Sequence, residues 1–363
     1  MPSRILGELS PAQFLVEYWQ KKPLWVRGAW PEFCDPLTPE ELAGLACTEG
    51  VEAWLAPEWE GEEADPVRHG PFTDEDFLSL PESHWTLWVR DVEKHAPDLV
   101  ALLEPFRFIP DWRGDGLTVS YAMPQGTVGP QVNEDDVFLW QGQGRRRWQV
   151  GIPPAESAAV LAGSEFIPQQ EWVLEPGDGL YLPAGVVYRG VALEASLSYA
   201  VDFRAPRHRE LLSGFLEFLL EGVDPDARFA DPDRMALDNP GEISAAALDQ
   251  VRALLRHSIA LDDETIAVWF GRFLSETRLG FRAEPESEPY DEAELREHLR
   301  GGGSLERNPG SRFHYIAGLD GETLLFVDGQ EFALGPKVAF MAPLLCRHRK
   351  LTLALLREAL KQA

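Results

Sequence analysis

Histidine, cysteine and lysine are all scarce in this 363-residue chain, and each shortage excludes something. Cys34, Cys47 and Cys346 are too few and too scattered for a disulfide framework or a thiolate metal site. Basic residues number 33, few of them lysines, against 60 acidic ones, for a formal net charge of −27. A surface of that sign repels nucleic-acid phosphate, which argues against general DNA or RNA binding and favours a basic partner. Solubility is the plainer reading of much of the charge. No run approaches the ~20 apolar residues of a membrane span, and MPSRILGELSPAQF has no apolar signal core, so the expectation is a cytoplasmic protein. Walker A and GxGxxG stretches are missing too, and no serine lies in a nucleophile elbow.

What is present supports a buried core: 44% of the residues are hydrophobic and 26% charged. At roughly 150 residues per domain, the length predicts two or three domains. Near the N-terminus, Ser10-Pro11 with Gln13 and Thr38-Pro39 with Glu41 each read as a capping box opening a helix. Between them Pro23 to Val26 reads as a strand.

From about 85 to 205 the pattern changes to short extended segments separated by Gly/Pro turns. Strands are predicted near Trp85–Arg90, Leu117–Met123, Val137–Gln141, Arg147–Ile152, Glu171–Leu174, Gly179–Leu182, Val186–Gly190 and Ser196–Phe203. Many short strands without intervening helices favour an antiparallel, double-stranded β-helix barrel. After Pro206 the period becomes helical, over Glu210–Leu220, Ser244–His257 and Asp263–Thr277. Ala283–Pro289 (AEPESEP) reads as a linker. Beyond it come a helix at Glu292–Leu299, a strand at Arg312–Ala317, a hairpin around Asp328-Gly329 and a terminal helix at Thr352–Lys361. That order is winged-helix-like, though its acids argue against DNA binding.

Two segments carry the chemistry. In LEPGDGLYLPAGVVY (Leu174–Tyr188), two tight turns bracket a strand, an arrangement that delivers a side chain into a barrel mouth. In GPQVNEDDVF (Gly129–Phe138), residues two apart share a face, so Gln131, Asn133 and Asp135 look inward together while Glu134 and Asp136 do not. In GRRRW, Arg146 shares a face with Trp148. If Trp148 packs inward, Arg146 follows and needs an anion or an internal salt bridge. Arg145 and Arg147 point the other way. No histidine occurs between His95 and His208. His69, His84 and His95 lie outside the barrel strands and read as structural or surface residues, as do His257 and His298 in predicted helices.

Together with YWQKKPLWVRG (Tyr18–Gly28), HGPF (His69–Phe72), PDWRGD (Pro110–Asp115), GPQVNEDDVFLWQGQGRRRW (Gly129–Trp148) and DFRAPRHRELLSGF (Asp202–Phe215), these segments make the sequence resemble the JmjC-type bacterial ribosomal oxygenases. Those are iron(II)- and 2-oxoglutarate-dependent arginine hydroxylases of a large-subunit ribosomal protein. The resemblance covers nearly the whole chain. It implies a mainly β fold with α: a JmjC/cupin-like barrel with N-terminal helices over 1–207 (core about 85–205), a helical dimerisation region over 208–282, and a winged-helix-like domain over 290–363. It also implies a homodimer, and Arg146 as the grip on the distal carboxylate of 2-oxoglutarate.

The departures from the family pattern fall on the metal. The resemblance sets a His-x-Asp plus distal His triad at Gln131, Asn133 and Tyr188, so no ligand position holds its family residue. A neutral amide is a poor iron ligand, and a phenol with an ordinary pKa near 10 ionises at a cost. Three readings follow: a non-catalytic pseudo-oxygenase that binds a basic ribosomal protein; an active 2-oxoglutarate-dependent hydroxylase with unorthodox metal binding; or a small-molecule-binding cupin using Arg146, Gln131, Asn133 and Tyr188 as a polar pocket.

Overall fold

Capping chemistry starts the first helices as the sequence predicts. Ser10 opens α1 (Pro11–Glu17) and Thr38 opens α2 (Pro39–Ala46), each in a reciprocal bond with the third residue of its helix. Thr73 and Asp76 form a third capping box, at α3 (Asp74–Leu78), and α4 (Val92–His95) follows. The computed structural model describes residues 4–57, 67–132, 134–151, 167–232, 236, 239, 241–259, 261–277, 291–319 and 321–362. The chain divides into two units, Met1–Ala205 and Pro206–Ala363.

The strands of the first unit are β1 (Leu24–Val26), β2 (Ala53–Pro57), β3 (Arg68–His69), β4 (Trp85–Val89), β5 (Gly114–Ala122), β6 (Thr127–Val132), β7 (Asp136–Gln143), β8 (Arg146–Gly151), β9 (Gln170–Leu174), β10 (Gly179–Leu182), β11 (Val187–Ala192) and β12 (Ser196–Phe203). Among the described residues they form an eight-stranded sheet in the order β1-β10-β7-β12-β5-β4-β2-β3, and a four-stranded sheet in the order β6-β11-β8-β9. The pairings are antiparallel, as expected for a double-stranded β-helix. The eight strands predicted from sequence are all present, except that Ile152 lies outside the described residues. Strand β2 and the edge strand β3 extend the large sheet beyond that prediction.

Period-two alternation gives the large sheet two apolar faces. Phe138, Trp140, Tyr181 and Tyr199 pack with Phe14 of α1 and with Phe106 in the main core. Val137, Leu139, Leu180 and Leu182 face the other way, onto Trp148, Val150 and Leu174 of the small sheet. Gly144 makes the turn between β7 and β8, with φ of 68°. A Cβ there would lie 2.2 Å from the Ala195 carbonyl oxygen, so only glycine fits where Arg146 is aimed.

The second unit runs α5 (His208–Glu221), α6 (Ala245–Ser258), α7 (Asp263–Ser275), α8 (Glu292–Arg300), β13 (Ser304–Glu306), β14 (Phe313–Leu319), β15 (Glu322–Val327), β16 (Gln330–Leu334), α9 (Met341–Arg347), β17 (Lys350–Thr352) and α10 (Leu353–Gln362). Asp328 and Gly329 both take positive φ, 49° and 80°, and join β15 to β16 in the predicted hairpin. Helix α9 and the β13–β17 pair have no counterpart in the sequence reading, and the predicted linker Ala283–Pro289 lies outside the described residues. No helix among the described residues is long and apolar enough to cross a membrane.

Candidate functional site

Antiparallel pairing of β6 with β11 sets Gln131 directly opposite Tyr188. The Gln131 Nε2 amide donates to the Tyr188 hydroxyl. The Tyr188 ring also packs on Trp148, centroids 5.8 Å apart. Burial pushes the phenol's pKa up, the nearby Asp202 carboxylate adds to the rise, and the Gln131 bond only partly opposes it. Tyr188 therefore stays a neutral phenol. Two of the three positions that the resemblance assigns to iron thus satisfy each other. The third, Asn133, lies outside the described residues.

Strand β8 carries Arg146 and Trp148 inward together, each 4% exposed, as the shared face predicts. The neutral oxygens of two serines hold the guanidinium, rather than a carboxylate. Nε donates to Ser196 Oγ (2.9 Å), Nη1 to Ser120 Oγ (2.8 Å), and Nη2 to the carbonyls of Ser120 (2.9 Å) and Ser196 (3.0 Å). Burial alone lowers the Arg146 pKa to about 9, so the group remains charged at neutral pH. Arg145 and Arg147 are exposed and meet Glu194 at 3.0 Å and Glu171 at 3.8 Å.

Gln131, Tyr188, Arg146 and Trp148 line one cavity of about 370 Å³ between the sheets, together with Asp135 and Asp202. Sequence alternation set Glu134 on the far face, yet both Glu134 and Asp135 reach the cavity wall. The reason is local: β6 ends at Val132 and β7 begins at Asp136, so residues 134 and 135 bend and the two-residue period lapses. Asp136 is fully buried on the opposite side, where it accepts from the Tyr181 hydroxyl (2.5 Å) and Gln20 Nε2 (3.0 Å).

The acidic wall is electrostatically loaded. Burial raises the Asp202 pKa to about 6, with Asp115 and Asp135 adding to the rise and Arg90 and a Thr118 hydroxyl bond opposing it. Asp135 is also raised, chiefly by burial, although one of its oxygens accepts the Ala205 N–H at 3.0 Å. The sequence reading missed Asp202. It also missed a rung of paired residues, Trp54, Trp88, Ser120 and Ser198, that crosses β2, β4, β5 and β12 along the cavity. Alternation in SLSYAVDF would have put Ser198 and Asp202 on one face, but not said which face met the cavity. His69 lies exposed in edge strand β3, and His95 ends α4, so neither enters the site.

Gln131 and Tyr188, bonded in this way, do not fit iron. An amide bonded to a neutral phenol offers no anionic ligand, and the described residues contain no group of three or more His, Cys, Asp or Glu able to hold a metal. Arg146 does fit an anion: it is a buried cation whose partners are all neutral.

A JmjC domain is matched over residues 101–211 and a ROXA-like winged helix over residues 253–363. The ribosomal protein uL16 3-hydroxylase of Escherichia coli (strain K12) is 37% identical over 306 residues, covering 82% of this chain and 80% of the relative. A probable ribosomal oxygenase of Haemophilus influenzae is 36% identical over 233 residues, covering 62% of this chain and 57% of that protein. The E. coli ribosomal oxygenase YcfD, solved in complex with cobalt and 2-oxoglutarate, superposes with a TM-score of 0.82 at 33% identity, covering 98% of this chain and 93% of that one. The chain belongs to the ribosomal oxygenase family, with a JmjC cupin-like fold and a ROXA-like winged helix.

Proposed function

We propose that this chain is a non-catalytic ribosomal oxygenase, a cytoplasmic scaffold that has kept the family's fold and exchanged the iron-dependent step for binding a basic segment of a large-subunit ribosomal protein. The observation that carries this reading is the Gln131–Tyr188 bond. Where the family pattern sets two metal-binding histidines, these side chains use their polar atoms on each other. Hydroxylation by this family rests on iron with 2-oxoglutarate, and no arrangement of the residues described here substitutes for the metal. The net charge of −27, with Glu134, Asp135 and Asp202 on the cavity wall, supports a cationic partner.

The proposed scaffold is a homodimer. Leu212, Leu216 and Leu220 stand 63%, 50% and 65% exposed at four-residue spacing on α5, and Leu248, Val251 and Leu255 form a second stripe on α6. A basic peptide would gain little from aliphatic stripes. A second copy of this chain gains apolar contact there.

The test is incubation with purified uL16, iron(II) and 2-oxoglutarate. The expected result is a bound complex without oxygen added to uL16 by mass spectrometry. The triple variant Gln131→His, Asn133→Asp, Tyr188→His should regain metal binding on the same scaffold. Oxygen incorporation by the unaltered chain would support an active hydroxylase instead.

A further inference from the structure

The cavity carries charge of both signs, at two places that strand β5 sets apart. At one, the neutral oxygens of Ser120 and Ser196 occupy four of the five Arg146 N–H groups, leaving one Nη1 hydrogen and an uncompensated positive charge. At the other, Asp135 and Asp202 share the wall, while the neighbouring Arg90 is committed to Asp115 at 2.8 Å. Arg90 also attracts Asp202, yet even with it counted the wall carries Glu134, Asp135 and Asp202 against Arg90 and Arg146.

Thr118 and Ser120 fix the distance between the two places. Ser120 Oγ accepts from Arg146, and the Thr118 hydroxyl donates to Asp202 Oδ2 at 3.5 Å. These two residues lie two apart on one face of β5, roughly 6.8 Å along an antiparallel strand. A cavity of about 370 Å³ is at the small end of the usual range for ligand sites.

We propose that this cavity binds a small zwitterion, its carboxylate on Arg146 and its ammonium or guanidinium between Asp135 and Asp202, with the two charges about 7 Å apart. An ω-amino or ω-guanidino carboxylate about five carbons long has that span. A dicarboxylate of the same length would instead direct its second negative charge at Asp135 and Asp202. This ligand class goes beyond the proposed protein-binding role.

Calorimetry on the intact protein separates the possibilities with three probes: 5-aminopentanoate, glutarate with a carboxylate at each end, and pentylamine with only the cation. The expected result is that 5-aminopentanoate binds at least about tenfold more tightly than either control, one charge-assisted contact being lost in each. Asp202→Asn should weaken 5-aminopentanoate about tenfold and leave glutarate unchanged or improved. Glutarate binding as tightly as 5-aminopentanoate, or no binding of 5-aminopentanoate, would overturn the proposal. If Asp202→Asn fails to fold, the comparison of probes on the unaltered protein decides alone.

Discussion

Gln131 and Tyr188 face each other across β6 and β11, and the amide of one is bonded to the hydroxyl of the other. Each side chain therefore enters the cavity with its main polar contact already made. Burial keeps the phenol protonated, so the pair presents no charge to a cation. A metal would meet an amide and a phenol that its surroundings hold neutral, with no anionic ligand from either.

The acids around the cavity set a pH dependence. Asp202, raised to about 6, binds its proton more tightly in the folded chain than in the unfolded one, where the ordinary value is near 3.9. Between those two values the folded state carries more protons, so this group's contribution to stability falls as pH rises through the window and levels off above it. Buried Glu93 acts in the same direction: raised to about 7, mainly by burial, it contributes less as pH rises from its ordinary value toward neutrality. Asp202→Asn is expected to raise stability near pH 7.5 by about 1–2 kcal/mol and to change it little near pH 4. Denaturant unfolding at both values checks this, and an equal effect at the two would refute the assignment.

Arg146 is a packing element as well as a charge. Its four bonds reach two hydroxyls and two carbonyls, a fan that an ammonium cannot reproduce. Arg146→Lys keeps the charge, yet it should destabilise the first unit by about 2–4 kcal/mol, because buried acceptors lose their donors. Thermal unfolding monitored by tryptophan fluorescence would show it. A shift no larger than that of an exposed control such as Arg145→Lys would mean that the serine cradle holds without it.

Much of this was legible in the sequence, and the limits have physical causes. The burial of Arg146 followed from its distance to Trp148, since alternation along a strand is rigid. The two capping boxes and the Asp328-Gly329 hairpin were read from local chemistry alone and form as written. Contacts between strands were not legible. That Gln131 meets Tyr188 depends on the register of β6 against β11, between residues 57 positions apart in the chain. That Glu134 reaches the cavity depends on a bend which interrupts alternation. Asp202 escaped notice because period two gives a face without saying which sheet it looks toward.

The aliphatic stripe on α5 predicts a dimer that one charge should break. Leu216 is half exposed within its own chain, so Leu216→Glu should cost the fold less than about 1 kcal/mol. In the dimer the same carboxylate would be buried against apolar side chains. Sedimentation is expected to show a dimer for the unaltered protein and a folded monomer for the variant. A monomer before substitution would remove the second copy from the account.

The most direct test of the central claim is to titrate 2-oxoglutarate calorimetrically into metal-stripped protein, with and without Mn(II) as a redox-silent stand-in for iron. The account predicts the same weak or absent binding in both titrations, because Gln131 and Tyr188, at two of the family's ligand positions, offer the metal an amide and a neutral phenol. Tightening by tenfold or more when Mn(II) is present would contradict it and return the chain to the active hydroxylases.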